Sequence, residues 1–209
     1  MRQLIIDSAS EACSVALIEA GAVVDYRHEI IGRGHAERLV PLIAELAGGG
    51  RADIVIAGCG PGSFAGVRIA VAAARGLALG WQVPARGFST LALVAASAAD
   101  AIAAAGGGLV VTEGGHGQYF VQPFAADLSP RAAVRSLLPE DAAVLDNELV
   151  VGNRAEPLVA RRGSGRALTI LPDARAFLRL PASALLDEPS PIYGRAPDAK
   201  PMPKSVSAA

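Results

Sequence analysis

Cys59-Gly60-Pro61-Gly62-Ser63-Phe64-Ala65-Gly66-Val67-Arg68-Ile69 decides the fold, together with the small-residue run that continues to Gly80. Before it, Ile54-Val55-Ile56-Ala57 is a short apolar run ended by Gly58, the pattern of a buried strand. Gly60-Pro61-Gly62 then imposes a turn, since glycine accepts positive φ and proline fixes its own. Ser63 is a good N-cap, and from Gly66 to Leu79 nothing except Gly76 weakens a helix. The unit is strand, glycine-rich loop, helix. Its spacing departs from both standard phosphate loops. A Walker loop carries Lys-Ser/Thr after its last glycine, where this chain has Val67-Arg68. Gly60, Gly62 and Gly66 give G-x-G-x-x-x-G rather than the dinucleotide G-x-G-x-x-G, which favours a turn shaped for close packing over direct phosphate binding.

On the predicted helix, Arg68, Ala72, Gly76 and Gly80 share one face at i+4 steps, and three of the four permit close backbone approach. Ile69, Ala73 and Leu77 form the next stripe, while Val67, Val71, Ala74 and Ala78 cover most of the rest. A helix this apolar all round is buried on several sides. One side faces a sheet; another faces either more of the domain's own core or a second protein.

The 209 residues suffice for one large domain or two small lobes. Hydrophobic residues make up 52% and charged ones 19%, which excludes disorder for the bulk of the chain. With aromatics at 4%, the core is built of Ala, Val, Leu and Ile. A net charge of −1 gives no electrostatic case for nucleic-acid binding by this chain alone. Cys13 and Cys59 cannot form a disulfide framework, and no Cys/His cluster has zinc spacing. Leu4-Ile5-Ile6 is too short for a signal sequence, and the run from Val67 to Leu79, broken by Arg68 and Arg75, falls short of the ~20 clean residues of a membrane span. A soluble, cytoplasmic protein is expected.

In chain order, Leu4–Ile6, Cys13–Ile18 and Val23–Ile30 read as an antiparallel meander whose first corner is Asp7-Ser8-Ala9-Ser10. That corner either satisfies local backbone as an Asx or Ser turn or coordinates a metal–phosphate, and the first is commoner. Leu39, Leu42, Ile43 and Leu46 form an apolar stripe on a helix beginning near His35. His35 has Leu39 at i+4 in place of a second ligand, so it reads as structural. A return strand within Gln82–Thr90, a helix over Leu91–Ala105, and strands at Leu109–Thr112 and Gln118–Gln122 follow. Glu148–Val151 reads as a further strand, Asp173–Leu180 as an amphipathic helix and Arg195–Ala209 as a mobile tail. Gly106-Gly107-Gly108 is the clearest boundary, giving a first lobe over 1–105 and a smaller second lobe over 106–194.

Four motifs in order resemble the bacterial TsaB (YeaZ) family. They are Asp7-Ser8-Ala9-Ser10 with Ser14-Val15-Ala16-Leu17; His35-Ala36-Glu37-Arg38-Leu39-Val40-Pro41; the Gly60–Ile69 stretch; and the terminal Pro191-Ile192-Tyr193-Gly194-Arg195-Ala196-Pro197-Asp198-Ala199-Lys200. The resemblance implies an actin-like, sugar-kinase-like (ASKHA) α/β fold of two lobes, each with a five-stranded mixed sheet and helices. It also implies a shortened second lobe, where the family pattern Asp-Ala-Arg-Arg-Gly-Glu is blurred to Glu113-Gly114-Gly115-His116-Gly117-Gln118.

TsaB proteins are paralogues of TsaD, which transfers a threonylcarbamoyl group to N6 of adenosine 37 in ANN-decoding tRNAs. TsaD carries His-x-x-x-His after a Val-Pro-Ala segment, whereas Val83-Pro84-Ala85 here leads to Ser89-Thr90 and Val94. The resemblance therefore implies a non-catalytic subunit with no metal site, docking TsaD and, with it, the ATPase TsaE. No cofactor is expected on this chain alone, and the sequence leaves open whether ATP or ADP sits at the joint between partners. Docking in the family pairs two first-lobe helices of each partner in a four-helix bundle, which here implies a seam of His35, Leu39, Ile43, Leu46, Arg68, Ala72 and Gly76. Homodimers through the same surface are expected without TsaD, with tRNA reached only through the complex and no membrane contact. The competing possibilities are an active ASKHA ATPase or kinase using Asp7 and the Gly60 loop, with Arg162-Gly163-Ser164-Gly165 as its adenosine loop, and a metallopeptidase, for which His28, His35 and His116 offer no ligand pair.

Overall fold

The structure, a computed structural model, describes residues 1–194. The Arg195–Ala209 tail, including Arg195 to Lys200 of the terminal motif, lies outside the described residues. The meander forms as expected: β1 (Arg2–Asp7), β2 (Ala12–Glu19) and β3 (Ala22–Ile30) pair antiparallel in sequence order. After α1 (His35–Ala44), β4 (Ile54–Gly58) adds parallel to β1. Then α2 (Phe64–Trp81) leads to β5 (Ala85–Phe88), parallel to β4. Strands β1 and β4 are covered on both faces, and for that reason read as unbroken apolar runs.

On one face of this sheet, α1 and α2 pack Leu39, Leu42, Ile43, Ala70, Ala74 and Ala78 onto Leu4, Ile6, Val15 and Val55. Each fully buried Leu or Ile contributes about 1.5–3 kcal/mol relative to exposure. Helix α2 starts where Ser63 Oγ accepts the Gly66 N–H at 3.3 Å. Glycine is required at two places there. A Cβ at Gly62 would run into the Ala9 carbonyl, and one at Gly66 into the Ser8 carbonyl. By length and composition α2 is apolar enough to cross a membrane, yet the sheet occupies its inner face and Arg68 and Arg75 stand on its outer one.

Beyond β5 come α3 (Thr90–Ser97) and α4 (Ala99–Ala104), a break at Ala98 (φ −109°, ψ 19°) dividing the single helix expected over Leu91–Ala105. Every residue from Thr90 to Ala96 is buried, because α3 lies between two sheets. Leu93 faces Ile5, Ile18 and Phe88 of the first; Leu91, Val94 and Ala95 face Val110, Phe120 and Val151 of the second. That second sheet runs β10-β9-β6-β7-β8. It is built from β6 (Gly107–Gly115), β7 (Gln118–Ala125), β8 (Arg135–Leu137), β9 (Leu149–Val151) and β10 (Arg166–Leu168). Its outer face is covered by α5 (Pro139–Ala142) and α6 (Ala155–Arg162) through Ala142, Ala155 and Leu158.

The chain then returns to the first lobe. Asp173–Leu180, expected as an amphipathic α-helix, is a 3-10 helix over Ala174–Arg179, with Phe177 packed on Phe88 at 5.6 Å between ring centroids. Strand β11 (Leu185–Leu186) pairs antiparallel with β5, so the first sheet has six strands, β11-β5-β4-β1-β2-β3, rather than five. A division at Gly106 therefore does not separate the lobes cleanly, since residues beyond 173 complete the first.

Two glycine substitutions on α2 should separate packing from propensity. Gly66→Ala should destabilise the chain by more than about 2 kcal/mol through its clash with Ser8. Gly76→Ala, with nothing within 4 Å of the new methyl group, should stabilise it by about 0.5–1 kcal/mol. Urea denaturation of the two variants checks both signs.

Candidate functional site

Two places on this fold carry functional geometry. The first is the cleft between the lobes, a cavity of about 770 Å³. Its walls are the β1–β2 turn (Ala9, Ser10, Glu11), the start of α2 (Gly62, Phe64, Arg68), the β6–β7 hairpin (Thr112 to His116), Asn153, and the segment Ile192–Gly194. On the second lobe the hairpin is braced from within. Glu113 forms an ion pair with Arg154, and its N–H donates to Asn153 Oδ1 at 3.1 Å.

A phosphate-bearing cofactor would meet the first-lobe floor of this cleft, and that floor is filled. Asp7 is fully buried. Its carboxylate accepts from the Thr90 hydroxyl at 2.8 Å and from the Ala9 N–H at 3.1 Å, and a Cβ at Gly58 would collide with it. Thr90 Oγ1 in turn accepts the Gly60 N–H at 3.2 Å. Ser63 N–H donates to the Ala9 carbonyl at 2.7 Å, and Ser8 Oγ donates to the Gly66 carbonyl at 2.8 Å. These donors and acceptors are spent on one another, and Asp7 has no access to a metal-bound phosphate. The residues do not fit such a group. The segment Arg162–Gly165 closes the turn from α6 to β10 and is not part of the cleft wall. Among the described residues no three His, Cys, Asp or Glu side chains come together.

The second place is the outer face of α2. Ala72, Gly76 and Gly80 are exposed, with open space beside both glycines, and Phe64 and Leu79 at its two ends are 71% and 82% exposed. Arg68 lies over the Phe64 ring, 3.2 Å from its centroid, and donates to Tyr193 Oη at 2.9 Å. The first-helix part of the expected seam needs correction. Leu39, Ile43 and Leu46 are 0–2% exposed, and His35 is buried with Nε2 3.3 Å from the Ala12 carbonyl. The ten-residue α1 has one apolar stripe, and the sheet takes it. Its outward residues are Ala36, Val40 and Ala44, small or β-branched, at the same i+4 spacing.

Sequence reasoning missed Thr90, Phe64 and Tyr193. Thr90 lies 83 residues from Asp7 and Tyr193 lies 125 from Arg68, so no local pattern could pair them.

Two α/β lobes with mixed sheets around a cleft have the layout of the expected ASKHA-type fold. Comparison narrows the class. The sequence profile described as TsaD, tRNA N6-adenosine threonylcarbamoyltransferase, matches residues 28–129. The Escherichia coli K12 tRNA threonylcarbamoyladenosine biosynthesis protein TsaB is 45% identical over 103 residues, covering 47% of this chain and 44% of that protein. This chain thus aligns with less than half the length of that curated relative. An uncharacterised Mycobacterium bovis protein, Mb3455c, is 31% identical over 95% of this chain and 94% of its own. The solved structure of YeaZ from Pseudomonas aeruginosa superposes with a TM-score of 0.77 at 27% identity, over 92% of this chain and 99% of that one. The chain is similar to the TsaB (YeaZ) family, over about half its length in sequence and over 92% of it in fold.

Burial raises the Asp7 pKa to about 6, against the pull of the Thr90 and Ala9 hydrogen bonds. The folded state thus holds the Asp7 proton more tightly than the unfolded one. Its contribution to stability is full below pH ~4 and is lost as pH rises through about 6, a change of about 3 kcal/mol. Asp7→Asn should flatten the stability profile between those limits. Chemical denaturation across the range checks it, and an unchanged slope would show that the carboxyl does not titrate there.

Proposed function

We propose that this chain is a non-catalytic subunit in threonylcarbamoylation of N6 of adenosine 37 in ANN-decoding tRNAs. It docks a TsaD-type transferase and, with it, TsaE. Similarity to the TsaB (YeaZ) family and the TsaD-profile match over residues 28–129 support a place in that pathway. The observation that carries the docking role is the outer face of α2. Ala72, Gly76 and Gly80 leave the helix backbone bare, with Phe64 and Leu79 exposed at either end. Bare helix backbone invites a second helix at short range, and an exposed apolar face of this kind is a liability in a chain that stays alone.

The seam consistent with the exposed residues uses Arg68, Ala72 and Gly76 of α2 with Ala36, Val40 and Ala44 of α1. A second copy of the chain would use the same surface when the transferase is absent. Any nucleotide would lie at the joint between partners, where a second chain can supply the missing phosphate ligands. Transfer RNA is engaged through the complex, in keeping with a net charge of −1. The cytoplasm, where tRNA is modified, is the compartment this role requires.

Gly76→Trp and Ala72→Trp test the role, because neither position faces the core. Both variants should melt within a few degrees of the wild type, yet bind purified TsaD from the same organism at least tenfold more weakly by titration calorimetry. They should also fail to support threonylcarbamoylation in a reconstituted tRNA assay. Collapse of the fold would assign the face to the core; undiminished binding would remove the docking role.

A further inference from the structure

The chain from Pro189 to Gly194 forms a strap laid along the outside of the first lobe. Ile192 N–H donates to the Cys59 carbonyl at 2.7 Å. Gly87 has no room for a Cβ beside the Glu188 carbonyl (3.2 Å) and Pro189 Cα (3.3 Å), so the strap sits against bare backbone. At its far end Gly194 lies flush on the Phe120 ring of the second lobe.

Two arginines of α2 reach the strap. Arg75 Nη2 donates to Ser190 Oγ at 3.2 Å, and Arg68 Nη2 to Tyr193 Oη at 2.9 Å. Seven helical residues span about 10.5 Å. Three extended residues span about 10 Å. The matched lengths and reversed pairing mean that the strap runs antiparallel to α2, and each arginine is held by a strap side chain. Arg68 is fixed further by the Phe64 carbonyl at 3.0 Å and by the rings of Phe64 and Tyr193, whose centroids lie 3.2 and 5.3 Å from its guanidinium carbon.

Neither arginine pairs with a carboxylate among the described residues, unlike Arg27, Arg38, Arg154 and Arg175. No Asp or Glu lies on α2. Two oriented cations, without a carboxylate partner among the described residues, thus flank the small residue Ala72 at two-turn spacing. A guanidinium already immobilised loses little further freedom on binding.

Resting on the docking role above, we propose that the strap presets Arg68 and Arg75 as paired receptors for carboxylates on the facing helix of the docking protein. Protein carboxylates fit better than RNA phosphates. The surface between the two cations is apolar and small, suited to a packed helix, and α2 carries no third cation to track a polyanion. Ser190 and Tyr193 are positioning residues, acting through the arginines they hold.

The test is titration of the full chain with purified TsaD at about 0.1 and about 1 M salt, between which the Debye length falls from about 10 to about 3 Å. Arg75→Glu should weaken binding at least tenfold at the lower salt, with most of the difference gone at the higher. Arg75→Gln should show a smaller loss with the same salt response, and covers the case in which Arg75→Glu misfolds. Ser190→Ala and Tyr193→Phe, which leave both charges in place, should each weaken binding two- to fivefold. If Arg75→Glu and Arg75→Gln bind as wild type while Gly76→Trp does not, docking stands and the paired-cation proposal falls. If none of the variants changes the affinity, the docking role falls with it. If Arg75→Glu keeps its affinity for TsaD but lowers that of the assembled complex for tRNA, the arginines serve RNA and the proposal is overturned.

Discussion

The contact on which this molecule depends is backbone against backbone, where the β1–β2 turn meets the first turn of α2. The carbonyls of Ser8 and Ala9 occupy the space that Cβ atoms would take at Gly66 and Gly62. Any other residue at those positions would push the helix away from the strand ends. With glycine there, Ser63 N–H and Ser8 Oγ complete the junction by hydrogen bonds, and α2 is set tightly across the sheet. The same approach places the β1–β2 turn and the start of α2 side by side on the wall of the cleft. A single packing decision thus stabilises the first lobe and shapes one wall of the cleft.

Asp7 extends this logic into the joint between the lobes. It ends β1, its bonding partner Thr90 begins α3, and the Gly60 N–H binds the same hydroxyl. Three segments distant in sequence meet on one buried carboxyl group. Burying that carboxyl is costly, which is why its pKa is pushed up. The gain is a fixed origin for α3, the helix that both sheets use as core. Because α3 has no solvent face, its sequence needs no polar stripe, and Leu91 to Ala96 contains none.

Helix α2 is the counterpart, buried on one side and bare on the other. Its inner residues Ala70, Ala74 and Ala78 pack on the sheet, and its outer residues Ala72, Gly76 and Gly80 contact nothing within the chain's own core. Small residues serve both faces for one geometric reason: they let the helix axis come close to whatever lies opposite. Along the edge of the bare face the strap orients two arginines, so closeness in the middle is bordered by charge at the side. In the docking role proposed above, shape and electrostatics would act on different parts of recognition, the first on affinity and the second on choice of partner.

The sequence by itself determined the local pieces: the meander, the Ile54 strand, the Ser63 cap and the span of α2. Each follows from periodicity or a capping residue within a few positions. It also determined that α2 is apolar beyond the needs of one interface. Tertiary structure alone decided which stripes meet solvent. The Leu39, Ile43 and Leu46 stripe has the spacing of a docking face, but the sheet lies beneath it, and spacing records amphipathicity without recording what covers the apolar side. The break at Ala98, the 3-10 turn at Ala174–Arg179, the return of β11 and the run of Ser190 and Tyr193 beside α2 were likewise settled only in three dimensions. Each depends on contacts between residues tens of positions apart or more, for which no short window of sequence carries a signal.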